Sequence, residues 1–341
     1  MTDARLLNRP SAHRFKPRLG FIGTGWIGRH RMEAMIASGH IEAAAVADPI
    51  PAAAQTARSL APAAELVVRF EDLLAMGLDG VVIATPSALH AEQAVRALEA
   101  GMAVFCQKPL GRSAPEARAV VDAARANDRL LCVDLSYRFT EAMRRIREQV
   151  RGGGLGRVYA ADLVFHNAYG PDKAWFYDRA LSGGGCLIDL GVHLVDLALW
   201  LLEFPQVTSA SGALYAKGRR LAPGEEAVED YAVATLELEG GRTVRIACSW
   251  NLDAGCDAVI SAEIFGDGGA ARLSNVNGSF YDFRGERLQR TQRQVLAEPP
   301  DDWGGRAAVD WARRLAAGER FDPEAERLVQ VAEVLDRIYG P

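Results

Sequence analysis

Three polar side chains interrupt the stretch Gly183–Leu202, GGGCLIDLGVHLVDLALWLL, which is otherwise apolar from Cys186 onward: Asp189, His193 and Asp196. At about 100° per residue they fall within an arc of roughly 60°, so a helix would carry them as one stripe on an otherwise apolar rod. Burying even one unpaired carboxylate would cost several kcal/mol, which predicts that the stripe faces a cleft, a ligand or other polar groups. A carboxylate beside an imidazole that titrates near neutrality is equipped for proton transfer. A plainer reading stays open, in which Asp189 accepts a hydrogen bond from His193 one turn on and the stripe is satisfied within the core. A metal is not expected. His and Asp four apart offer two ligands, but no H-E-x-x-H or cysteine cluster offers the rest.

A second constellation lies near the start. Arg18–Gly23 (RLGFIG) reads as a strand, Trp26–Ser38 has helical spacing, and the turn between them is Gly23-Thr-Gly25-Trp26-Ile27-Gly28. In this pattern the first glycine permits a sharp turn, the second lets backbone approach a pyrophosphate, and the third lets helix and strand pack closely. The helix N-terminus then receives the anion. The next apolar strand, Ala43–Ala47, delivers Asp48 twenty residues after Gly28, where a carboxylate can bond both hydroxyls of an adenosine ribose. With Pro49 next and no adjacent arginine, a 2'-phosphate would be repelled and unmatched, which favours NAD over NADP.

These residues need a scaffold, and the intervening chain describes one. Helical segments at 52–60, 70–76, 89–100 and from Ser113, where Glu116 completes a capping box, alternate with apolar strands at 65–68, 80–85, 103–106 and 130–135. Continuous apolar strands between amphipathic helices predict a parallel sheet covered on both faces, with ligands beyond the strands' carboxyl ends. The residues following those strands are Thr85-Pro86-Ser87 with His90, Gln107-Lys108-Pro109, and Ser136-Tyr137-Arg138-Phe139. A lysine at a sheet edge is ordinarily solvated. Held between a buried strand and a proline, Lys108 has less freedom.

Composition bounds the rest. The 341 residues suffice for two domains, and 49% hydrophobic content supplies both cores. A net charge of -5 with dispersed Lys and Arg argues against a nucleic-acid surface, and no apolar run in the sequence reaches the roughly 20 residues of a membrane span. Five scattered cysteines without C-x-x-C suit free thiols and a cytoplasmic protein. Residues 1–17 read as a flexible tail, 18–139 as a dinucleotide-binding domain and 140–341 as a substrate and oligomerisation domain. The boundary is a basic helix from Thr140 followed by the hinge Arg151-Gly-Gly-Gly-Leu-Gly156. Beyond it the segments 158–166, 207–215, 231–238, 243–250 and 258–265 are strand-like, several of them alternating, which predicts a sheet with one face on helices and the other open, a candidate surface for a homo-oligomer. Segments 302–317 and 323–339 read as helices, the second capped by Asp322.

Taken together, Gly23-x-Gly25-x-x-Gly28, Thr85-Pro86-Ser87 with His90, Gln107-Lys108-Pro109, and Gly184-Gly185 followed by Asp189, Gly191, His193 and Asp196 resemble the Gfo/Idh/MocA family of glucose-fructose oxidoreductase and inositol dehydrogenase over Leu19 to about Leu202. The resemblance implies an α/β protein: an N-terminal Rossmann doubly wound parallel sheet plus a C-terminal α+β domain with an open, mostly antiparallel sheet. It implies cofactor contacts from Gly23, Gly25, Trp26, Ile27, Gly28, Asp48, Thr85, Pro86, His90, Gln107 and Lys108. Lys108, Asp189 and His193 match the family's catalytic trio, while Gln107 stands where a glutamate is usual and Ser87 where an asparagine is. The implied function is hydride transfer between NAD and a secondary alcohol or ketone of a sugar, cyclitol or related polyol. His193 would serve as base, Asp189 would orient it or hold a neighbouring hydroxyl, Lys108 would stabilise charge on oxygen, and Asp196 would be structural. The segment His166 to Arg179 could place aromatic and amide groups on a sugar, with Tyr137, His166 and Trp175 as candidate contacts, or pack as a simple lid. A non-catalytic NAD-binding sensor and an NAD-assisted glycosidic bond cleavage are the alternatives.

Overall fold

The computed structural model describes residues 16–222 and 224–340, so all but Lys16 and Pro17 of the expected tail lies outside the described residues. The first half is a six-stranded sheet of β1 (Arg18–Ile22), β2 (Glu42–Ala47), β3 (Glu65–Val67), β4 (Gly80–Ile83), β5 (Ala103–Cys106) and β6 (Leu131–Val133). Their order is β3-β2-β1-β4-β5-β6, all neighbours parallel. Between them run α1 (Trp26–Ala37), α2 (Pro51–Arg58), α3 (Phe70–Leu74), α4 (Ser87–Glu99) and α5 (Ala114–Ala126). Both faces are buried, as continuous apolar strands require: Phe21, Val82 and Phe105 pack into one core, and Ile22, Ile83 and Cys106 into the other. Strand order reverses between β1 and β4, and this is where a ligand crevice opens beyond the strand ends.

The chain then passes through α6 (Glu141–Arg151), β7 (Val158–Asn167), the short α7 (Arg179–Ser182) and α8 (Val192–Leu201) into a second sheet. Its other strands are β8 (Val207–Ala216), β9 (Arg219–Arg220), β10 (Tyr231–Leu238), β11 (Arg242–Ser249), β12 (Ala258–Gly266), β13 (Gly269–Asn275), β14 (Phe283–Gln289) and β15 (Gln292–Ala297). The nine strands lie in the order β15-β14-β13-β12-β7-β11-β10-β8-β9, antiparallel throughout except for the parallel pair β7 and β11. Five of these strands match the sequence reading. The other four are short or polar: β15, QRQVLA, is exposed over most of its length, and such edge strands carry little periodic signal.

One face of this sheet is the seat of the buried helix. Ala161, Leu163 and Phe165 of β7 and Val244, Ile246 and Cys248 of β11 alternate onto it and pack with Leu187, Leu190, Leu194 and Val195. The helical run Arg179–Leu201 is 23 residues long and apolar enough to cross a bilayer, longer than the apolar segment alone suggests, but most of it is buried inside the protein. Its middle, Leu187–Gly191, is wound as a π-helix, so Asp189 and His193 are not related by an ordinary α turn. Gly185 sits where a Cβ would come within 1.8 Å of the Glu229 carbonyl oxygen, and this closeness lets the run begin against the sheet.

The last two helices return to the first half. In α9 (Arg306–Ala316) Trp311 is fully buried against Phe105, ring centroids 5.8 Å apart, and α10 (Glu326–Tyr339) places Val329 in the first-sheet core and Val331, Val334 and Leu335 in the second. Burying such an aromatic contributes about 1.5–3 kcal/mol and fastens α9 to the first sheet, while α10 couples the two sheets. The helix expected from Asp302 starts only at Arg306, and the freed residues Asp301–Gly304 form part of the cavity between the sheets.

Candidate active site

The glycine-rich turn is built for close approach on two sides and is open on the third. Gly23 has φ +78°, and a Cβ on Gly28 would lie 2.0 Å from the Gly23 carbonyl oxygen, so neither position accepts a side chain. A Cβ on Gly25 would meet nothing within 4 Å, and Gly25, Trp26 and Ile27 line the cavity at the start of α1. The turn therefore has room for a phosphate against the helix N-terminus, as a dinucleotide requires. Asp48, at the end of β2, accepts from the Thr24 amide (2.6 Å), the Thr24 hydroxyl (3.1 Å) and the Ile50 amide (2.9 Å), which ties its carboxylate to the turn. Gly28→Ala is expected to abolish dinucleotide binding at this turn, measured by fluorescence titration, because the added carbon must displace backbone.

At the other end of the same cavity, of about 900 Å³, two distant parts of the chain meet. Lys108, carried just beyond β5, donates to the Asp189 carboxylate at 2.5 Å and to the Asp189 carbonyl at 2.7 Å. The Lys108–Pro109 bond is cis. The second Asp189 oxygen accepts from the Trp250 indole at 3.1 Å. The orienting bond from Asp189 to His193 is thus not formed: the π-helical turn and these two donors turn the carboxylate toward Lys108 and β11. His193 is 8% exposed and lines the cavity, with Tyr137 edge-on to its ring at 4.9 Å. Among the described residues, no hydrogen-bond partner approaches either of its nitrogens. Burial first, then the Lys108 and Arg31 cations, hold its pKa well below the ordinary imidazole value.

The neighbouring side chains divide into lining and support. Asp196 is 1% exposed and lies in a bidentate pair with Arg138, whose Nε donates at 2.7 Å and whose Nη2 donates to the other oxygen. It does not line the cavity. His90 lies between the two strand-end loops, its ring nitrogens 2.7 Å from the Thr85 and Pro109 carbonyl oxygens, and the nitrogen that carries the proton donates to its carbonyl. Thr85, Pro86, His90, Gln107, Tyr137 and Trp175 all line the cavity, Trp175 stacked on Phe176 with centroids 3.8 Å apart. His166 does not. Period-two alternation puts Leu163 and Phe165 toward the helices and His166 on the opposite face, where it bonds the Ser249 hydroxyl at 2.8 Å and stacks on Tyr231.

Several cavity residues carry little or no signal in the sequence. Arg31 reaches in from α1, Asp134 lies one residue beyond β6, and Phe280, Tyr281 and Asp301–Gly304 arrive from the end of the second sheet. Asp134 was findable. It follows β6 directly, but the apolar Leu135 extends the pattern and hides the strand's end. Arg31 had no such signal, since a charged residue on an exposed-looking helix is ordinarily solvated.

Comparison with known proteins gives a consistent picture. Residues 17–135 match the model of an oxidoreductase family with an NAD-binding Rossmann fold, and residues 143–272 match the GFO/IDH/MocA C-terminal domain. The D-glucoside 3-dehydrogenase of Escherichia coli (strain K12) is 31% identical over 65% of this chain, and the matched stretch spans 66% of that relative, just under two thirds of its length. An inositol 2-dehydrogenase of Rhizobium meliloti (strain 1021) is 30% identical over 76% of each chain. Among solved structures, GenD2 from gentamicin A biosynthesis in complex with NAD superposes with a TM-score of 0.80 at 24% identity, covering 98% of this chain and 96% of that one. KijD10, a 3-ketoreductase from Actinomadura kijaniata in complex with NADP, superposes with a TM-score of 0.80 at 22% identity, covering 95% of this chain and 97% of that one.

Proposed function

Because the chain belongs to the GFO/IDH/MocA oxidoreductase family, we propose that it moves a hydride between NAD and a secondary alcohol or ketone of a sugar, cyclitol or related polyol. The observation that carries this reading is the meeting of Lys108 and Asp189 at 2.5 Å in a cavity that His193 also lines and that runs on to the glycine turn. The dinucleotide, when bound, supplies the hydride acceptor. The residues placed to hold it are Gly25, Trp26 and Ile27 at the turn and Thr85, Pro86, Gln107 and Lys108 at the strand ends. Asp48 favours NAD over NADP, since a 2'-phosphate beside its carboxylate would meet like charge.

In alcohol oxidation, the C–H electron pair leaves carbon with its hydrogen while the hydroxyl proton passes to His193, and the C–O bond becomes a carbonyl. The depressed pKa keeps His193 neutral and ready to accept. Lys108 places its ammonium where negative charge grows on oxygen, and Asp189, fixed by Trp250, fixes that ammonium. Aromatic rings at Trp175, Phe176 and Tyr281 with polar groups at Lys173 and Asp172 suit a sugar's apolar faces and hydroxyls. The chain's five free thiols fit a reducing compartment, and the open face of the second sheet, with Val233 exposed, fits association of like chains. The test is incubation with NAD and a panel of cyclitols, glucosides and anhydrosugars while NADH absorbance is followed. NADH release on some member is the expected result; NAD binding with silence across the panel would favour a sensor.

The His193 assignment sets a pH dependence. A neutral folded imidazole against an unfolded value near 6.5 means that stability from this group is fully present above pH 6.5 and is lost as pH falls through the lowered folded value. The acid limb of kcat/KM is therefore expected below pH 6.5, and a limb at or above 6.5 would remove His193 as the base.

A further inference from the structure

Beside Lys108 lies a buried polar unit in which Gln107, already placed against the dinucleotide, is joined to Arg31 and Asp134, two residues without a role in the proposed chemistry. Arg31, Asp134 and Gln107 are 6%, 1% and 8% exposed, come from α1 and from the ends of β6 and β5, and all line the cavity. Arg31 Nε donates to Asp134 Oδ2 at 2.6 Å, Gln107 Nε2 donates to the same oxygen, and the Ser136 hydroxyl donates to Oδ1 at 2.7 Å. Arg31 Nη2 also donates to Ser136 at 3.1 Å. A carboxylate accepts only, so it dictates which end of the Gln107 amide faces it: the NH₂ turns to Asp134 and the carbonyl oxygen turns away. Among the described residues that oxygen has no partner, and it is not sealed from the cavity.

We propose that Asp134, held by Arg31, is a positioning residue that locks the Gln107 amide so that its oxygen accepts a hydroxyl or amide N–H of the bound dinucleotide next to Lys108. This rests on the dehydrogenase reading only for the identity of the dinucleotide. The crossing from α1 to the ends of β5 and β6 spans the place where strand order reverses, so the unit also braces the strand end that carries Lys108. Its net charge is zero with one carboxylate and one amide, and swapping the two groups conserves both charge and donor count.

The experiment exploits that swap. Gln107→Met keeps the Arg31–Asp134 pair and the side-chain volume but removes both the oxygen and the donor to Asp134; NADH affinity by fluorescence titration is expected to fall about 10-fold, the worth of one good hydrogen bond, with a lowered melting temperature and a native circular dichroism spectrum. Asp134→Asn frees the amide to rotate and Gln107→Glu opposes two carboxylates, so each is expected to weaken NADH by about 10-fold or more, the second with a new ionisation in its pH dependence. The double variant Q107E/D134N restores one carboxylate and one amide and is expected to return to within about 3-fold of the parent. Parental affinity in Gln107→Met, or a double variant as impaired as Asp134→Asn, overturns the proposal. NADH binding needs no turnover, so either result is separate from whether a polyol is oxidised.

Discussion

His193→Gln is expected to lower kcat by about 10²- to 10⁴-fold, the range of a lost general base, while NADH affinity stays within a few-fold of the parent. Glutamine keeps most of the volume of a side chain packed beside Tyr137 and Phe165, so the loss reads chemistry and not collapse of the cavity. Lowered kcat with little change in substrate KM identifies an interaction made mainly in the transition state. Steady-state kinetics on the first substrate that releases NADH, with circular dichroism to check folding, makes the measurement. Turnover near the parental rate would exclude His193 as the base and direct attention to Tyr137, whose hydroxyl is held protonated by burial and by the nearby Asp189 carboxylate.

Asp196→Leu is expected to show the opposite profile, losing about 3–5 kcal/mol of stability while keeping turnover per folded molecule. The reason is the partner. Arg138 is 19% exposed at the side chain and lies over the rings of Trp200 and Phe204, so removing its carboxylate leaves a largely buried cation unanswered. Burial pushes the Asp196 carboxyl up and Arg138 pulls it back down, the balance of a structural pair. Arg138→Met combined with Asp196→Leu is expected to recover most of the loss, since an apolar pair of similar volume needs no compensation. Denaturant unfolding of Asp196→Leu, Arg138→Met and the double variant reads the cycle. A folded Asp196→Leu protein without turnover would assign Asp196 to the chemistry after all.

The contrast between His193 and Asp196, one turn apart, marks how far a stripe of polar residues can be read. Spacing alone placed both on one face of a buried helix, and their apolar surroundings required that each be answered. Which answer each found depended on what the rest of the chain brought alongside: Arg138 from the segment between β6 and α6 for Asp196, an open cavity for His193. Asp189 shows the same limit more sharply. Its expected bond to His193 assumed an α-helical turn, and the π-helical winding at Leu187–Gly191 sends its carboxylate to Lys108 and Trp250 instead. His166 shows what alternation decides: Leu163 and Phe165 are the core side of β7, so His166 stands on the opposite face, away from the cavity.

Local chemistry determined what local rules govern. Glycines at 23 and 28 are dictated by backbone contacts within a few residues, the parallel sheet by continuous apolar strands between helices, and the presence of reactive groups at the strand ends by the handedness and order of that sheet. The extension of the second sheet by β13 to β15, the return of α9 and α10 to the first sheet, and the unit of Arg31, Asp134 and Gln107 leave little periodic trace in the sequence, and the last joins residues far apart in the chain, Arg31 and Asp134 by 103 positions. No periodicity records such a contact. It exists because a buried charge must find its counterpart somewhere in three dimensions, and only the packing of the whole chain decides where.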